Sequence, residues 1–408
     1  MMDRSPAFAA APAPVRERIA SRIESIDIVR GAVMVLMALD HVRVFSGVPA
    51  GGPTAGVFLT RWVTHFCAPA FFFLAGTSAY LRGGGVAGSS ISRWLATRGV
   101  LLVLLELTLI RAAWTFNFDY AHYSLAGVIW ALGWCMVLLA AIVWLPLPAI
   151  AALGLALIAG HHIVPMVVGG QQSALLASPA GPLLRVLYFG GGFAWGGASE
   201  PNFFVLYSIV PWVGVMSAGY AFGRVMTRPA PERRRWCVRA GLAATAAFVL
   251  LRALQLYGDW PWRPGPGEEP WAPAWIMFLA TTKYPASLQF LLMTLGPMLV
   301  ALAALDGARG RLVRWLTVFG RVPLFFYLLH IPLIHAVAVG IAAVRSPQAL
   351  TWLYGNHPMR PGDPPSGYAW GLPLLYMVTL AVVCALYWPC RWYEKVRSAR
   401  RWGWTAYI

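Results

Sequence analysis

Arg30 and His41 stand eleven positions apart in RIESIDIVRGAVMVLMALDHVRVFS, residues 22 to 46. At roughly 100° per residue that is about three helical turns, so both side chains leave one helix face about 16 Å apart. Met34 and Met37 share that face between them. A guanidinium at one end of an apolar run suits an anion, and an imidazole well inside it suits proton transfer. Asp40 could orient His41 to take a proton from an attacking hydroxyl or amine.

Other polar groups recur near the same helix ends. They are Arg43 and His65, then Arg111, Asn117, Asp119 and His122, then His161 and His162, Lys283 and Tyr284, and finally His330 and His335. Their shared side predicts a common polar cavity. Tyr327 and His330 in GRVPLFFYLLHIPLIH point inward, where Pro332 interrupts the backbone ladder. Glu106 and Arg111 lie too deep in an apolar run to be idle, and their spacing predicts pairs with other helices.

Several chemistries lack their residues. No H-E-x-x-H occurs, and His330 and His335 are turned about 140° from each other on a helix, so no metal site is expected. There is no G-x-S-x-G elbow and no P-loop, and the glycines at 83–85 and 190–192 read as loop hinges. The five cysteines are scattered with no C-x-x-C pair, which supports neither a zinc site nor a disulfide framework.

The elements that must position these groups are membrane helices. Hydrophobic residues make up 59% of the chain and charged residues only 12%, against about 25% charged in soluble proteins. Apolar runs of spanning length fall near 28–47, 58–80, 99–116, 124–144, 148–168, 203–225, 240–257, 286–305, 316–343 and 370–390. The fold class expected is all-α: a polytopic membrane protein of about ten helices. Basic segments alternate with the loops that hold the acidic residues, which predicts both termini in the cytoplasm and reads the net charge of +17 as topology rather than nucleic-acid binding.

A cytoplasmic tail over 1–21, a transmembrane domain over 22–392 and a basic cytoplasmic tail over 393–408 complete the expected organisation. Residues 161–202, interrupted by Gly and Pro, are expected as a long outer loop with a re-entrant or short amphipathic piece.

A set of motifs spread over nearly the whole chain resembles one family. They are SIDIVRG at 25–31, LMALDH at 36–41, CAPAFFFLAGTS at 67–78, WTFNFDY at 114–120, TKYPASL at 282–288, LLMTLGP at 291–297 and GRVPLFFYLLHIPLIH at 320–335. Their order resembles the heparan-alpha-glucosaminide N-acetyltransferase catalytic-domain family and its bacterial relatives. The Arg30 and His41 spacing also resembles the signature of membrane acyltransferase family 3.

The resemblance implies a transmembrane O- or N-acetyltransferase in the cell inner (plasma) membrane. It would carry acetyl from cytoplasmic acetyl-CoA, a co-substrate rather than a resident cofactor, to an amine or hydroxyl acceptor, a sugar or glycan, on the far side. Arg30, Asp27, Arg93 and Arg98 would serve the CoA end, and Asn117, Asp119, Lys283, Tyr284 and Tyr327 the acceptor. His41, with Asp40, would act as general base or as a transient acetyl carrier. The family's lysosomal enzyme has its catalytic His in the first loop, but SGVPAGGPTAGVF has none, so His65 and His330 are the alternatives for that part.

Membrane lipids, and a homodimer, complete the expected partners. A transporter or flippase for a lipid-linked or small polar substrate is the competing reading, since kinked helices and buried charges also mark transport paths.

Overall fold

The computed structural model describes residues 23–52, 54–86, 88–356 and 363–399. The expected tail over 1–21 and the end of the expected 393–408 tail lie outside them.

The chain runs α1 (Glu24–Phe45), α2 (Ala55–Trp62), a 3-10 turn (Val63–Phe66), α3 (Cys67–Arg82), α4 (Ser89–Leu105), a π turn (Glu106–Ile110), α5 (Arg111–Thr115), β1 (Ser124–Ala126) and α6 (Val128–Ile142). Then come α7 (Leu147–Gly160), α8 (Ile163–Val168), α9 (Gln172–Ala177), α10 (Gly181–Leu184), β2 (Gly191–Phe193), β3 (Phe203–Val205), α11 (Ile209–Met226) and α12 (Ala230–Leu254). The last part holds α13 (Ala274–Leu279), α14 (Leu288–Ala304), α15 (Arg311–Arg321), α16 (Pro323–Arg345), α17 (Leu350–Leu353) and α18 (Leu372–Ser398).

Five helical stretches are long and apolar enough to cross a membrane: Ala55–Arg82, Leu147–Ala177, Ala230–Leu254, Pro323–Arg345 and Leu372–Ser398. The other five predicted spans depart from that standard for physical reasons. α1 carries Glu24, Asp27, Arg30, Asp40 and Arg43 within its 22 residues. The 99–116 run is interrupted by the π turn. The 203–225 run begins as strand β3 and turns helical only at Ile209. α6 and α14 are apolar but only 15 and 17 residues long.

The all-α expectation needs one amendment. β3 pairs in parallel with β1 and antiparallel with β2, forming a small sheet of order β1-β3-β2. It gathers part of the predicted 161–202 loop, the rest of which coils into the short helices α8, α9 and α10. The predicted single run 316–343 is also two helices. Val322 leaves the helical region at φ −129°, and Pro323 restarts the chain at the first turn of α16, where its missing N–H costs nothing.

Glycines set how closely the helices approach. A Cβ on Gly31 would fall onto the Leu316 carbonyl of α15, and one on Gly320 onto the Asp27 carbonyl of α1, so these two helices meet backbone to backbone. Gly76 and Gly219 do the same for α3 and α11. In a lipid setting, where apolar side chains gain little by leaving lipid, such close approach is what holds helices together.

Candidate active site

The α1–α15 contact places Arg30. Its Nη1 donates to the Gly320 carbonyl at 3.2 Å and reaches Asp27 Oδ1 at 3.4 Å, while Nη2 donates to Ser78 Oγ of α3 at 2.7 Å. Asp27 lies beneath the arginines, with Oδ2 3.9 Å from Arg321 Nε. Arg321 also pairs with Glu394 at 2.5 Å, and Arg397 donates to the Arg321 carbonyl at 2.6 Å.

These groups frame a cavity of about 240 Å³. Its charged end is lined by Arg30, Arg82, Arg98, Arg321 and Arg397, and its apolar length by residues that include Met34, Leu102, Ile129, Met136 and Tyr327. Arg82 and Arg98 lie over the Trp94 ring at 4.5 and 5.4 Å. Stacking steadies a guanidinium without spending its N–H donors, and neither arginine has a carboxylate partner among the described residues. Arg93, expected with them, is exposed and does not line the cavity.

Tyr327 joins this cavity to the histidines. Its ring meets His41 edge-on at 6.1 Å and His330 at 5.1 Å. His41 Nδ1 lies 2.7 Å from His330 Nε2. His330 Nδ1 faces the carbonyls of Tyr327 at 2.7 Å and Phe326 at 3.2 Å, which only accept, so Nδ1 carries a proton. A neutral His330 then presents a bare Nε2, and His41 Nδ1 is the donor to it. The remaining nitrogen of a neutral His41, Nε2, holds the lone pair. Trp114 closes the other flank, edge-on to His41 at 4.8 Å and stacked on Phe45 at 5.3 Å.

Asp40 does not orient His41. Its Oδ1 accepts from Arg43 Nε at 3.1 Å and its Oδ2 from Arg61 Nη1 at 2.7 Å. A carboxylate between two arginines is better satisfied there than by a neutral imidazole. Lys283 and Tyr284 lie near this cluster. Lys283 Nζ sits 5.1 Å from the Tyr284 ring centre and 5.9 Å from that of Tyr207, and the two phenol oxygens are 3.4 Å apart. His65 packs edge-on against Phe290 at 5.4 Å, apart from the His41–His330 pair.

The common cavity expected for seven histidines contracts to that pair. His161 caps α7 and reaches the Ala286 carbonyl, at 2.5 Å. His162 packs edge-on against Tyr257 and Trp260. His335 bridges the carbonyls of Ala113 and Leu353 between the Phe45 and Phe116 rings. His122 is exposed and hydrogen-bonds Asp119 at 2.7 Å.

Asn117 and Asp119, expected at the acceptor, instead brace loops. Asn117 Nδ2 donates to the Tyr354 carbonyl, and Asn356 Nδ2 to Asp119 Oδ2. The hydrogen bond from His122 holds the Asp119 carboxyl below the usual carboxylate range. The pairs with other helices expected of Arg111 and Glu106 do not form: neither makes an ion pair among the described residues. Arg111 is fully buried and donates to the carbonyls of Tyr123, Asn117 and Asp119, gathering that loop around itself. Glu106 faces the backbone N–H groups of Gly127, Ile129 and Trp130 at the start of α6, a favourable place for an acid.

The family model for the catalytic domain of heparan-alpha-glucosaminide N-acetyltransferase matches residues 22–259, more than half of the chain. The chain belongs to this family. Its members are membrane acetyltransferases that use acetyl-CoA as co-substrate. The matched segment carries Arg30, Asp40, His41, Arg61, Arg82 and Arg98, and the fold brings Lys283, Arg321, Tyr327 and His330 onto it from beyond residue 259. No curated protein matches the chain.

The parts that sequence reasoning missed are Arg61, Ser78, Trp114 and Asp259, and the roles of Arg321 and Arg397. Arg397 falls in a basic segment that reads as topology, while Arg61 and Arg321 lie near the starts of the predicted runs 58–80 and 316–343 and have no partner there that spacing reveals. Asp259 accepts from Thr282 N and Oγ1 and from Ser287 Oγ, pinning the turn that presents Lys283. Nothing in their spacing announces it.

Proposed function

We propose that the chain transfers an acetyl group from acetyl-CoA to an amine or hydroxyl, with His41 as general base. The observation that carries this reading is the 2.7 Å contact of His41 with His330 beside Tyr327, at the far end of an arginine-mouthed cavity.

The CoA phosphates are held at Arg30, Arg82 and Arg98, where Arg82 and Arg98 have N–H donors to offer, and Asp27 keeps Arg30 and Arg321 in place. The pantetheine arm runs between Met34, Leu102, Ile129 and Met136 toward Tyr327. That path follows α1 from Arg30 to His41, about 16 Å of rise. It brings the thioester to the imidazole while the phosphates stay among the arginines.

His41 Nε2 takes the proton of the attacking O–H or N–H as the new bond to the acetyl carbon forms. Nδ1–H stays on His330 Nε2, which orients the ring and disperses the charge of the imidazolium. Collapse of the tetrahedral intermediate breaks the carbon–sulfur bond, and the His41 proton goes to the departing thiolate. Direct transfer needs no acetyl-imidazole. His65, packed on Phe290, has no part in the step.

We read the arginine end as cytoplasmic by the positive-inside rule, with about ten helices in an inner (plasma) membrane, both termini inside and residues 22–392 as one catalytic domain. The acceptor is a sugar or glycan reached from the opposite side.

The test uses the full chain in nanodiscs with radiolabelled acetyl-CoA and a panel of amino sugars, glycans and lipid-linked sugars. Label should move to an acceptor in the wild type and not in His41→Ala, while acetyl-CoA affinity stays within about twofold. Equal turnover in His41→Ala removes the base from this mechanism, and no acetyl-CoA binding removes the mechanism altogether.

A further inference from the structure

The compartment next to His41 on the side away from the cavity's arginines is built for negative charge. Arg43, Arg61 and Lys283 are only 7%, 9% and 7% exposed, and among the described residues Asp40 is the one carboxylate paired with the two arginines. Both Asp40 oxygens are taken by Arg43 and Arg61. Lys283 makes no hydrogen bond or ion pair among the described residues; its ammonium faces the rings of Tyr207 and Tyr284. Ring faces attract a cation but do not neutralise it, and a buried charge without a counter-ion is costly.

Three further features point to a ligand rather than to leftover charge. Tyr284 is 37% exposed although it belongs to this cluster, so the compartment has an accessible wall. His65 is 8% exposed, and its Nδ1 has no hydrogen-bond partner. Lys283 is held in place, since Asp259 accepts from Thr282 on one side of it and Ser287 on the other.

We propose that Lys283, Arg61 and the Tyr284 hydroxyl bind an anionic group, a phosphoryl or carboxylate, that the acceptor carries beside its reacting amine or hydroxyl. The anion completes the charge of the compartment and holds the nucleophile toward His41, the residue after Asp40. The proposal rests on the acetyl-transfer reading for its purpose but not for its binding.

The experiment is calorimetric titration of inorganic phosphate and of acetate into the full chain, in phosphatidylcholine nanodiscs with the arginine cavity saturated by CoA. Both the wild type and Lys283→Arg should bind at least one of the two anions, and Lys283→Gln should bind it at least tenfold more weakly. Tighter phosphate binding assigns a phosphoryl group, and tighter acetate binding a carboxylate. Repeating the titration in phosphatidylglycerol nanodiscs separates the sources: lost anion binding there means that a lipid headgroup fills the site, which overturns an acceptor role.

Equal affinity in wild type and Lys283→Gln, or no anion binding to the CoA-loaded wild type, also overturns the proposal. Acetyl-CoA affinity, titrated into CoA-free portions of the same preparations, shows that Lys283→Gln is folded and reports separately on the acetyl-transfer reading. Loss of acetyl-CoA binding with Lys283-dependent anion binding intact would sink that reading alone.

Discussion

His41 and His330 hold each other in one tautomeric arrangement across 289 positions of sequence, through a 2.7 Å contact between Nδ1 of one and Nε2 of the other. The carbonyls of Phe326 and Tyr327 fix the proton on His330 Nδ1, and through it the lone pair on His41 Nε2. His330→Ala should therefore lower kcat by about a hundredfold, the lower range for a general base losing its orientation. KM for acetyl-CoA should not move. His330→Gln, whose amide oxygen can accept the same N–H, should recover part of the loss. A fall in acetyl-CoA affinity that matches the fall in kcat would reassign His330 to folding.

Arg82 and Arg98 share the Trp94 ring and have no carboxylate among the described residues, so their donors are open to phosphate. Each Arg→Ala change should weaken acetyl-CoA binding by about tenfold, the equivalent of one charge-assisted hydrogen bond of about 1.5 kcal/mol. The wild-type affinity should also fall as salt is raised. Arg93→Ala, on an exposed position outside the cavity, should bind acetyl-CoA as the wild type does. Direct titration of the three variants decides between these outcomes.

Gly31 and Gly320 let α1 and α15 touch, and that contact brings the Gly320 carbonyl to Arg30. A methyl group at either position collides with backbone, which cannot move aside as a side chain can. Gly320→Ala should cost about 1–3 kcal/mol of stability, the usual penalty of overpacking. Because Arg30 shifts with the helix, acetyl-CoA affinity should fall at temperatures where the variant is still folded. A lower Tm with unchanged affinity would mean that Arg30 finds its place without the close contact.

What the sequence made legible follows from what is local. The eleven-residue step from Arg30 to His41 is helical arithmetic within one element, and the arginine does line the cavity while the imidazole sits beyond its Tyr327 end. His41 and His330, by contrast, meet because α16 packs on α1, and no spacing rule connects them. Asp40 departs from its expected place for a related reason. Adjacency in sequence put it beside His41, whereas on a helix neighbours diverge by about 100°, and Arg43 and Arg61 lay within its reach. The ten apolar runs were visible, but the break at Val322 and the strand at Phe203–Val205 depend on backbone partners that hydropathy does not record.

Arg111 is the hub of the loop at 116–123, with donors on the carbonyls of Tyr123, Asn117 and Asp119 and on Thr115 Oγ1. Arg111→Ala should cost on the order of 3 kcal/mol, because it leaves two buried acceptors, the Tyr123 carbonyl and Thr115 Oγ1, and two half-buried ones without a donor, and thermal unfolding in nanodiscs would measure it. Asp119→Ala should lower Tm slightly and leave KM for the acceptor unchanged, because Asp119 braces Asn356 and His122 rather than the reacting groups. A raised acceptor KM in Asp119→Ala would return this loop to the active site. The pH dependence has a definite sign. The Asp119 carboxyl is held below its usual range, first by the His122 hydrogen bond. Its contribution is therefore full above the unfolded value of about 3.9 and lost as pH falls through the folded one. Exposure and solvent screening keep that contribution small, so wild type and Asp119→Ala should differ in Tm near neutrality and converge in acid.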